Sequence, residues 1–570
     1  MSWYLYLILV YLLVLMGFNF YRSFKVKTQE EMMVAGRSLS LRVMVFTLIC
    51  TWIGSGTFIA GAEYAARAGW SSLWLPAGAW VGIIVIYFLA EKIRTFGKYT
   101  IGDILEVRYG KFARLFGALA LMISFTAIVS YQFRAGGYIL NVVSKGVISV
   151  EFGQTLTAAF VILFTAAAGM MAVAYTDLPN GIIILTASVL AAPVMYYIAG
   201  GWPTAVTNLP QEHFSVFNKD FGAYPLLKAG GYFLATMFLL LGVQSMYQKF
   251  YSAKTPKDAR QAVALWVVGT VVVETVVVVI AVFAASHFWE PIKEFEILSK
   301  IKNQVESHEI TVGTIPGSIE IFIEQEVSIG KITQSQKEKI VADLLVNNNI
   351  NSINKLNHVL QTQAVDPASI VLKAARTIAD SGGLLLVIGL LLLSAAVAVV
   401  ISTGMNYLLS PTTNVMRDIY QRFINPDASQ KMMVVLQKIT IIIFGLIALY
   451  LAMKLTSVLE MSYFAYTIYG VSITPALIAA LAWKRATRLG GLVSIVGGAV
   501  ITVFLKFAGY IWPSIMVPIG DPNGDPWGIP LIYPALLFSI ASLIVFSYLS
   551  KAPSPNEIRE LFPDLRKSEL

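Results

Sequence analysis

A single cysteine, Cys50, stands in 570 residues, so no disulfide can form within the chain and cysteine usage says nothing of redox compartment. Histidine is almost as rare. His213, His287, His308 and His358 are widely spaced and lack cysteine partners, which excludes the ligand spacing of a metal site. Charge is scarce too: 13% of residues are charged against 57% hydrophobic, and the mean hydropathy is +0.70. No soluble domain of this length has that balance, and the chain reads as an all-α polytopic membrane protein. The formal charge of +9 would suggest nucleic acid only if the basic residues gathered on one soluble face. They are dispersed over short loops, so no nucleic-acid partner and no obligatory protein partner is expected. The apolar segments contain no nucleophile–base pair and no cluster of metal ligands, so neither an enzyme nor an organic cofactor is expected. The first apolar run, about Trp3 to Tyr21, lacks a basic flank and a small-residue cleavage site, and reads as a retained helix.

Long apolar runs are what the chain has in abundance. Hydropathy gives about thirteen spans, at 3–21, 43–66, 71–93, 112–141, 154–175, 180–200, 226–247, 261–287, 383–409, 431–453, 456–482, 491–512 and 529–550. Basic loops follow the first, third, seventh, ninth and eleventh; Lys249, Lys254 and Lys257 are counted in the third of these loops. All five fall on one side when spans alternate, which predicts an N-terminus outside and a cytoplasmic tail in the cell (inner) membrane. The polar stretch from about Phe288 to Gly382 reads as an extracytoplasmic insertion, helical in part over 335–346 and 350–363.

The second span is interrupted by Thr51-Trp-Ile-Gly-Ser-Gly-Thr57. Backbone in lipid must satisfy its own hydrogen bonds, so two glycines among hydroxyls suit a plain anchor poorly. Such a break either lines a polar cavity with backbone carbonyls or packs a neighbouring helix closely through small residues. In the ninth span, Ser402 and Thr403 are adjacent hydroxyls with the Val399 carbonyl one turn earlier. A hard monovalent cation wants such neutral oxygens, although membrane hydroxyls often bond back to their own helix.

Several short segments are collinear with one family. Ala35-Gly-Arg-Ser38 precedes the broken span, and Thr100-Ile-Gly-Asp103-Ile-Leu-Glu106-Val-Arg108-Tyr109-Gly110 follows the third. Tyr175-Thr176-Asp177 opens the sixth, and Met246-Tyr247-Gln248-Lys249 with Ala253-Lys254 closes the seventh. Ile401-Ser402-Thr403 and Asp418-Ile-Tyr420 mark the ninth, and Trp483-Lys484-Arg485 ends the eleventh. In this order the chain resembles the sodium:solute symporter family, which includes sodium-coupled sugar, proline, pantothenate and choline carriers. The resemblance implies a LeuT-type inverted repeat of five plus five helices, pairing spans two to six with spans seven to eleven. The chain then divides into a first helix and loop (1–42), the first repeat with the start of the second (43–287) and the insertion (288–382). The remainder of the second repeat (383–482), two peripheral helices (483–550) and the tail (551–570) follow. A second break is expected in the seventh span, which carries Gly230-Gly231 and Gly242-Val-Gln-Ser245.

The resemblance further implies Na+ as coupling ion, bound by Ser402, Thr403 and the Val399 carbonyl, with two carbonyls from the broken span that fall on Cys50 and Ile53. Asp177 matches an acid associated with a second ion, yet Gly404, Met405 and Asn406 stand where further small or hydroxyl residues are usual, so one sodium per cycle is favoured. Trp52 occupies the place of an acid found in proline-type members, which argues against a proline-like carrier. Thr51-Trp52-Ile-Gly54-Ser-Gly56 followed by Glu63 looks like the choline-carrier branch, where Trp52 could face a quaternary amine. Glu63, an acid inside a span, is either functional or paired with Arg67 at i+4. Arg134 either holds an anionic solute or pairs with an acid such as Glu63. The solute is expected beside the break, at Trp52, Ser55, Gly56, Tyr131, Gln132, Gln244 and Tyr466. Tyr463, Tyr466 and Tyr469 recur at i, i+3 and i+6, a stripe that is more often helix packing than a binding site. The reading is a symporter importing a small polar organic solute across the bilayer by alternating access. The alternative is a transporter-like membrane sensor without net transport, against which the short tail argues.

Overall fold

The computed structural model describes residues 28–218, 221–222, 224–306, 364–454, 458–517 and 525–563, with 335 and positions 4, 6, 10, 11, 13, 14 and 17. Most of the expected first span, the helical stretches expected at 335–346 and 350–363, and the end of the tail lie outside the described residues.

Two of the helices are broken within apolar segments. The first is made of α1 (Leu41–Trp52) and α2 (Ala62–Ala68), joined through extended backbone at Ile53 and a π-helical turn, Gly56–Gly61. Then come α3 (Trp74–Phe96), the short α4 (Ile101–Tyr109), α5 (Lys111–Val143) and α6 (Val150–Ile198). The second broken helix is α7 (Pro225–Gly242) and α8 (Gln244–Ser252), parted by the single extended residue Val243. After α9 (Pro256–His287), α10 (Trp289–Glu306) and α11 (Ile370–Asp380) belong to the insertion. The chain returns through α12 (Gly383–Asn414), α13 (Gln430–Lys454), α14 (Val458–Ser472) and α15 (Thr474–Ala482). The peripheral pair is α16 (Arg488–Ile511) and α17 (Ile532–Leu549). The breaks thus open two successive five-span sets, the arrangement expected of the inverted repeat.

Eleven stretches among the described residues are long and apolar enough to cross a membrane, so they do not reproduce the expected count of thirteen. Gly56–Phe96 counts as one stretch, although the chain turns within it at Gly69. The expected boundary between the fifth and sixth spans is also displaced. α6 turns at Gly169, so Tyr175 to Asp177 lie inside the second span and do not open it. Apolar residues flank that turn on both sides, which leaves hydropathy with no minimum to find. Lys249 is likewise not a loop residue: it is fully buried within α8.

Local chemistry starts these helices where they start. Thr255 accepts the Asp258 amide at 3.0 Å and Pro256 occupies the first turn of α9, where no amide partner is needed. Thr100 and Asp103 form a reciprocal capping box on α4. The described part of the insertion is helical; α11 buries its apolar face against α12 and α9. At the core, α12 packs on α6 and α5, and α14 packs on α7 and α5, so the two breaks face one shared interior.

Candidate functional site

The first break leaves backbone groups without helical partners, and neighbouring side chains take them up. Thr403 Oγ1, on α12, donates to the carbonyls of Cys50 at 2.9 Å and Ile53 at 3.2 Å. The Ser55 amide donates to Gln132 Oε1, on α5, at 3.1 Å. Gly54 makes this approach possible: a Cβ there would lie 2.8 Å from Thr403 Cγ2 and 3.1 Å from Gln132 Nε2. Two carbonyls and one hydroxyl therefore converge on a buried point. Neutral oxygens at this spacing fit a sodium ion, which would replace the hydroxyl proton as the group the carbonyls face.

Ser402 turns to a second group of polar residues. Its Oγ accepts from Asn180 Nδ2 at 2.7 Å, and Asn180 Oδ1 accepts from Tyr11 at 2.6 Å. Asn406 Nδ2 donates to the Ser402 carbonyl at 2.9 Å and to Asp177 Oδ2 at 3.2 Å. Asp177, fully buried on α6, also accepts from Thr47 at 2.5 Å. The Lys249 ammonium stands 3.9 Å from Asp177 Oδ2 and donates to Asn406 Oδ1 and to Met170 Sδ. Asp177 thus has partners that the sequence reading missed: a lysine assigned to a loop and an asparagine regarded as a departure. Val399 is fully buried on the same helix, one turn from Thr403.

A cleft of about 460 Å³, counting the space at its mouth, opens beside the break. Trp52, Gly56, Thr57, Thr236, Glu274, Val278 and Tyr466 line it. Glu274, near the middle of α9, accepts from Trp52 Nε1 at 3.0 Å, from Thr57 Oγ1 at 3.5 Å and from Trp80 Nε1 at 2.6 Å. Sequence reasoning passed over this acid although the signal was present, a lone carboxylate in a run of valines from Val271 to Ile280. Tyr466 Oη and Tyr131 Oη lie 3.3 Å apart on the near side of the cleft.

The remaining predicted positions separate. Trp52, Gly56 and Tyr466 line the cleft, whereas Gln132 braces the break and keeps a buried Nε2 without a partner. The Ser55 hydroxyl is also buried without a partner. Gln244 is elsewhere: it starts α8, and its Oε1 accepts the Ile101 amide of α4 at 2.7 Å. Tyr469 serves the second break, donating to the Gly242 carbonyl at 2.7 Å and accepting the Gln244 amide at 3.0 Å. Glu63 pairs with Arg67 at 3.2 Å, and Arg67 with Glu296 at 3.6 Å. Arg134 lies over the Tyr138 ring, 5.7 Å from its centroid.

At the other end of α5, Arg114 gathers Asp418 at 2.6 Å, Asp103 at 2.9 Å and Glu106 at 2.5 Å. Glu106 also pairs with Arg422, and Thr100 donates to Asp418 at 2.8 Å. This cluster ties α4 and α5 to the π-helical extension of α12, Val415–Ile424. It brings Thr100, Asp103 and Glu106 of one collinear motif together with Asp418 of another.

The chain matches the family model described as "Sodium:solute symporter family" over residues 32–305 and 382–498. It is 22% identical to the osmoregulated proline transporter OpuE of Bacillus subtilis (strain 168) over 567 residues, covering 96% of this chain and 95% of that one. It is 22% identical to the sodium/proline symporter of Escherichia coli (strain K12), covering 95% of this chain and 92% of that one. Among solved structures, a substrate-bound, outward-open Na+-coupled sialic acid symporter matches with a TM-score of 0.66 at 14% identity, covering 96% of this chain and 98% of that one.

Proposed function

Because the chain belongs to the sodium:solute symporter family, we propose that it carries a small polar organic solute into the cell together with one sodium ion, by alternating access. It is a multi-pass membrane transporter of LeuT-type fold, and not an enzyme. The observation that carries the reading is Thr403 Oγ1 lying between the Cys50 and Ile53 carbonyls, which joins the broken helix to α12. Sodium is held there by those two carbonyls and Thr403, with the Ser402 hydroxyl and the Val399 carbonyl completing the shell. Bound sodium clamps α1 to α12 and favours the outward-facing arrangement; the solute then occupies the adjoining cleft. Release of the ion frees the break to rearrange, and the cleft opens to the other side. Lys249 supports a single coupled ion, since its ammonium already faces Asp177. The N-terminus lies outside and the tail in the cytoplasm.

One ion suffices energetically. A sodium moving through ~100 mV gains about 2.3 kcal/mol, and a tenfold gradient adds about 1.4 kcal/mol. Together they support accumulation of roughly 10² to 10³-fold.

Uptake of radiolabelled sugars, amino acids, quaternary amines and carboxylates into proteoliposomes tests the reading. An inward sodium gradient drives accumulation of at least one class, and an equal potassium gradient does not. Binding without accumulation would favour the sensor, and a solute-independent conductance would favour a channel.

A further inference from the structure

The chain beyond α17 folds back onto the bundle. Ser554 and Glu557 form a capping box that starts a single helical turn, Pro555–Ile558. Ile558 and Leu561 are then buried, the latter to 2% exposure in a polar, charged stretch of sequence. Phe562 lies under the Lys92 ammonium, which stands 4.0 Å from its ring centroid, and beside the Arg108 guanidinium at 5.8 Å. Glu557 pairs with Arg488 at 3.1 Å, and Glu560 with Lys98 at 3.1 Å. These exposed pairs contribute little; the three apolar side chains hold the seat.

That seat is built from elements that pack in different places. Lys92 is near the end of α3 and Lys98 just past it, and α3 packs on α7 and α9. Arg108 belongs to α4, which packs on α5, α15 and α16. Its guanidinium donates to the Trp483 and Lys484 carbonyls at 3.0 and 2.6 Å, so two of the collinear motifs meet under the tail. α4 has a second face. Asp103 and Glu106, at i and i+3, reach Arg114, and the Ile101 amide reaches Gln244 at the second break. Holding Arg108 therefore holds the helix that carries those contacts. The solute cleft is at the far end of α3: Leu75 and Pro76, in its first turn, line it, about 25 Å along the helix from Lys92.

Resting on the sodium-symport reading, we propose that the segment Ser554–Phe562 is a latch. Seated, it ties α3 to α4 and α16 and keeps the Arg114 end shut while the cleft is open at the other end. It leaves its seat when the Arg114 end opens to release sodium and solute. The seated latch favours the sodium-binding arrangement, and sodium favours the seated latch, because coupling between two sites is reciprocal. Unseating the tail lowers the fraction of protein competent to bind sodium, and the apparent affinity falls by that fraction.

Hydrogen exchange and equilibrium sodium binding on the purified full chain test the latch, with sodium and potassium as the only probes. Phe562→Ala empties the seat, Lys92→Met removes the cation above it, and Phe562→Tyr keeps the ring. In Phe562→Ala, peptides of α4 exchange faster in potassium. Half-saturation needs roughly tenfold more sodium, while the same amount is bound at saturation, which shows that the variant folds. Lys92→Met shifts both readouts the same way but less, by about threefold, since the ring stays buried. Phe562→Tyr behaves as the unmodified chain, in which sodium slows exchange in residues 551–563 although they lie far from the ion. Unchanged sodium affinity in Phe562→Ala overturns the proposal, and so does faster exchange confined to the tail itself. A tail whose exchange does not respond to sodium contradicts it equally. If the unmodified chain binds no sodium, the symport reading fails instead, and the latch is then judged by exchange at α4 alone.

Discussion

Single side chains decide whether the first break can hold an ion. Gly54 is the tightest constraint, because a methyl group there would fall on Thr403 Cγ2 and Oγ1 at 2.8 and 3.0 Å. Gly54→Ala must displace Thr403 from the two carbonyls, at about 1 to 3 kcal/mol for the overpacking. The expected outcome is a sodium-dependent thermal shift that needs roughly tenfold more sodium, measured by titrating NaCl against KCl at constant ionic strength. An unchanged titration would mean that Thr403 does not contribute to the ion site. The juxtaposition of Thr403 with Cys50 and Ile53 was legible only through the resemblance to the family; the glycine break and the hydroxyl pair stand out in apolar spans but do not by themselves say that they meet. Glu274 stood out equally by its type, but nothing in the sequence says that Trp52 and Trp80 reach it from two other helices. Lys249 was illegible for a plainer reason: a lysine at the end of a hydropathy window is assigned to the loop by default, and only packing shows it buried beside Asp177.

Whole elements are shaped by the same need to satisfy backbone in a dry interior. Both broken helices are repaired from α5, α12 and α14, and the repairs differ. Gln132 and Thr403 serve the α1 break from two helices, whereas one hydroxyl, Tyr469, serves both sides of the α7–α8 break. Tyr469→Phe leaves the Gly242 carbonyl and the Gln244 amide without partners, at about 1 to 3 kcal/mol. The variant is expected to melt earlier in detergent, and its Gln244 amide to exchange hydrogen faster than in the unmodified chain; exchange at an unaltered rate would contradict the assignment. The existence of a second break was legible from Gly242-Val-Gln-Ser245, its single-residue extent was not, and the glycine pair at 230–231 proves to lie in unbroken helix. Gln244 was misread for the same reason. It lies within a residue of the break, as a cleft residue would, but begins the next helix and turns to α4.

For the molecule as a whole, the two breaks and the ion pairs mark a bundle closed by charge at both ends. Arg114 holds three acids at one end, and Glu63, Arg67 and Glu296 form a chain at the other. Between them lie neutral oxygens at the break and, in the cleft, the buried Glu274 carboxyl with three hydrogen-bond donors around it. Architecture was legible because long apolar runs and collinear motifs report on topology, whereas the positions of helix ends, such as the turn at Gly169, depend on single residues that hydropathy averages away. The coupling of ion to fold is the central claim, and equilibrium binding of radioactive sodium to the purified protein addresses it without reference to any solute. The unmodified chain is expected to bind one sodium per protomer, saturably and against excess potassium, and Ser402→Ala combined with Thr403→Ala is expected to abolish that binding while the protein stays folded. Sodium binding that survives the double substitution unchanged would place the ion elsewhere and contradict the account.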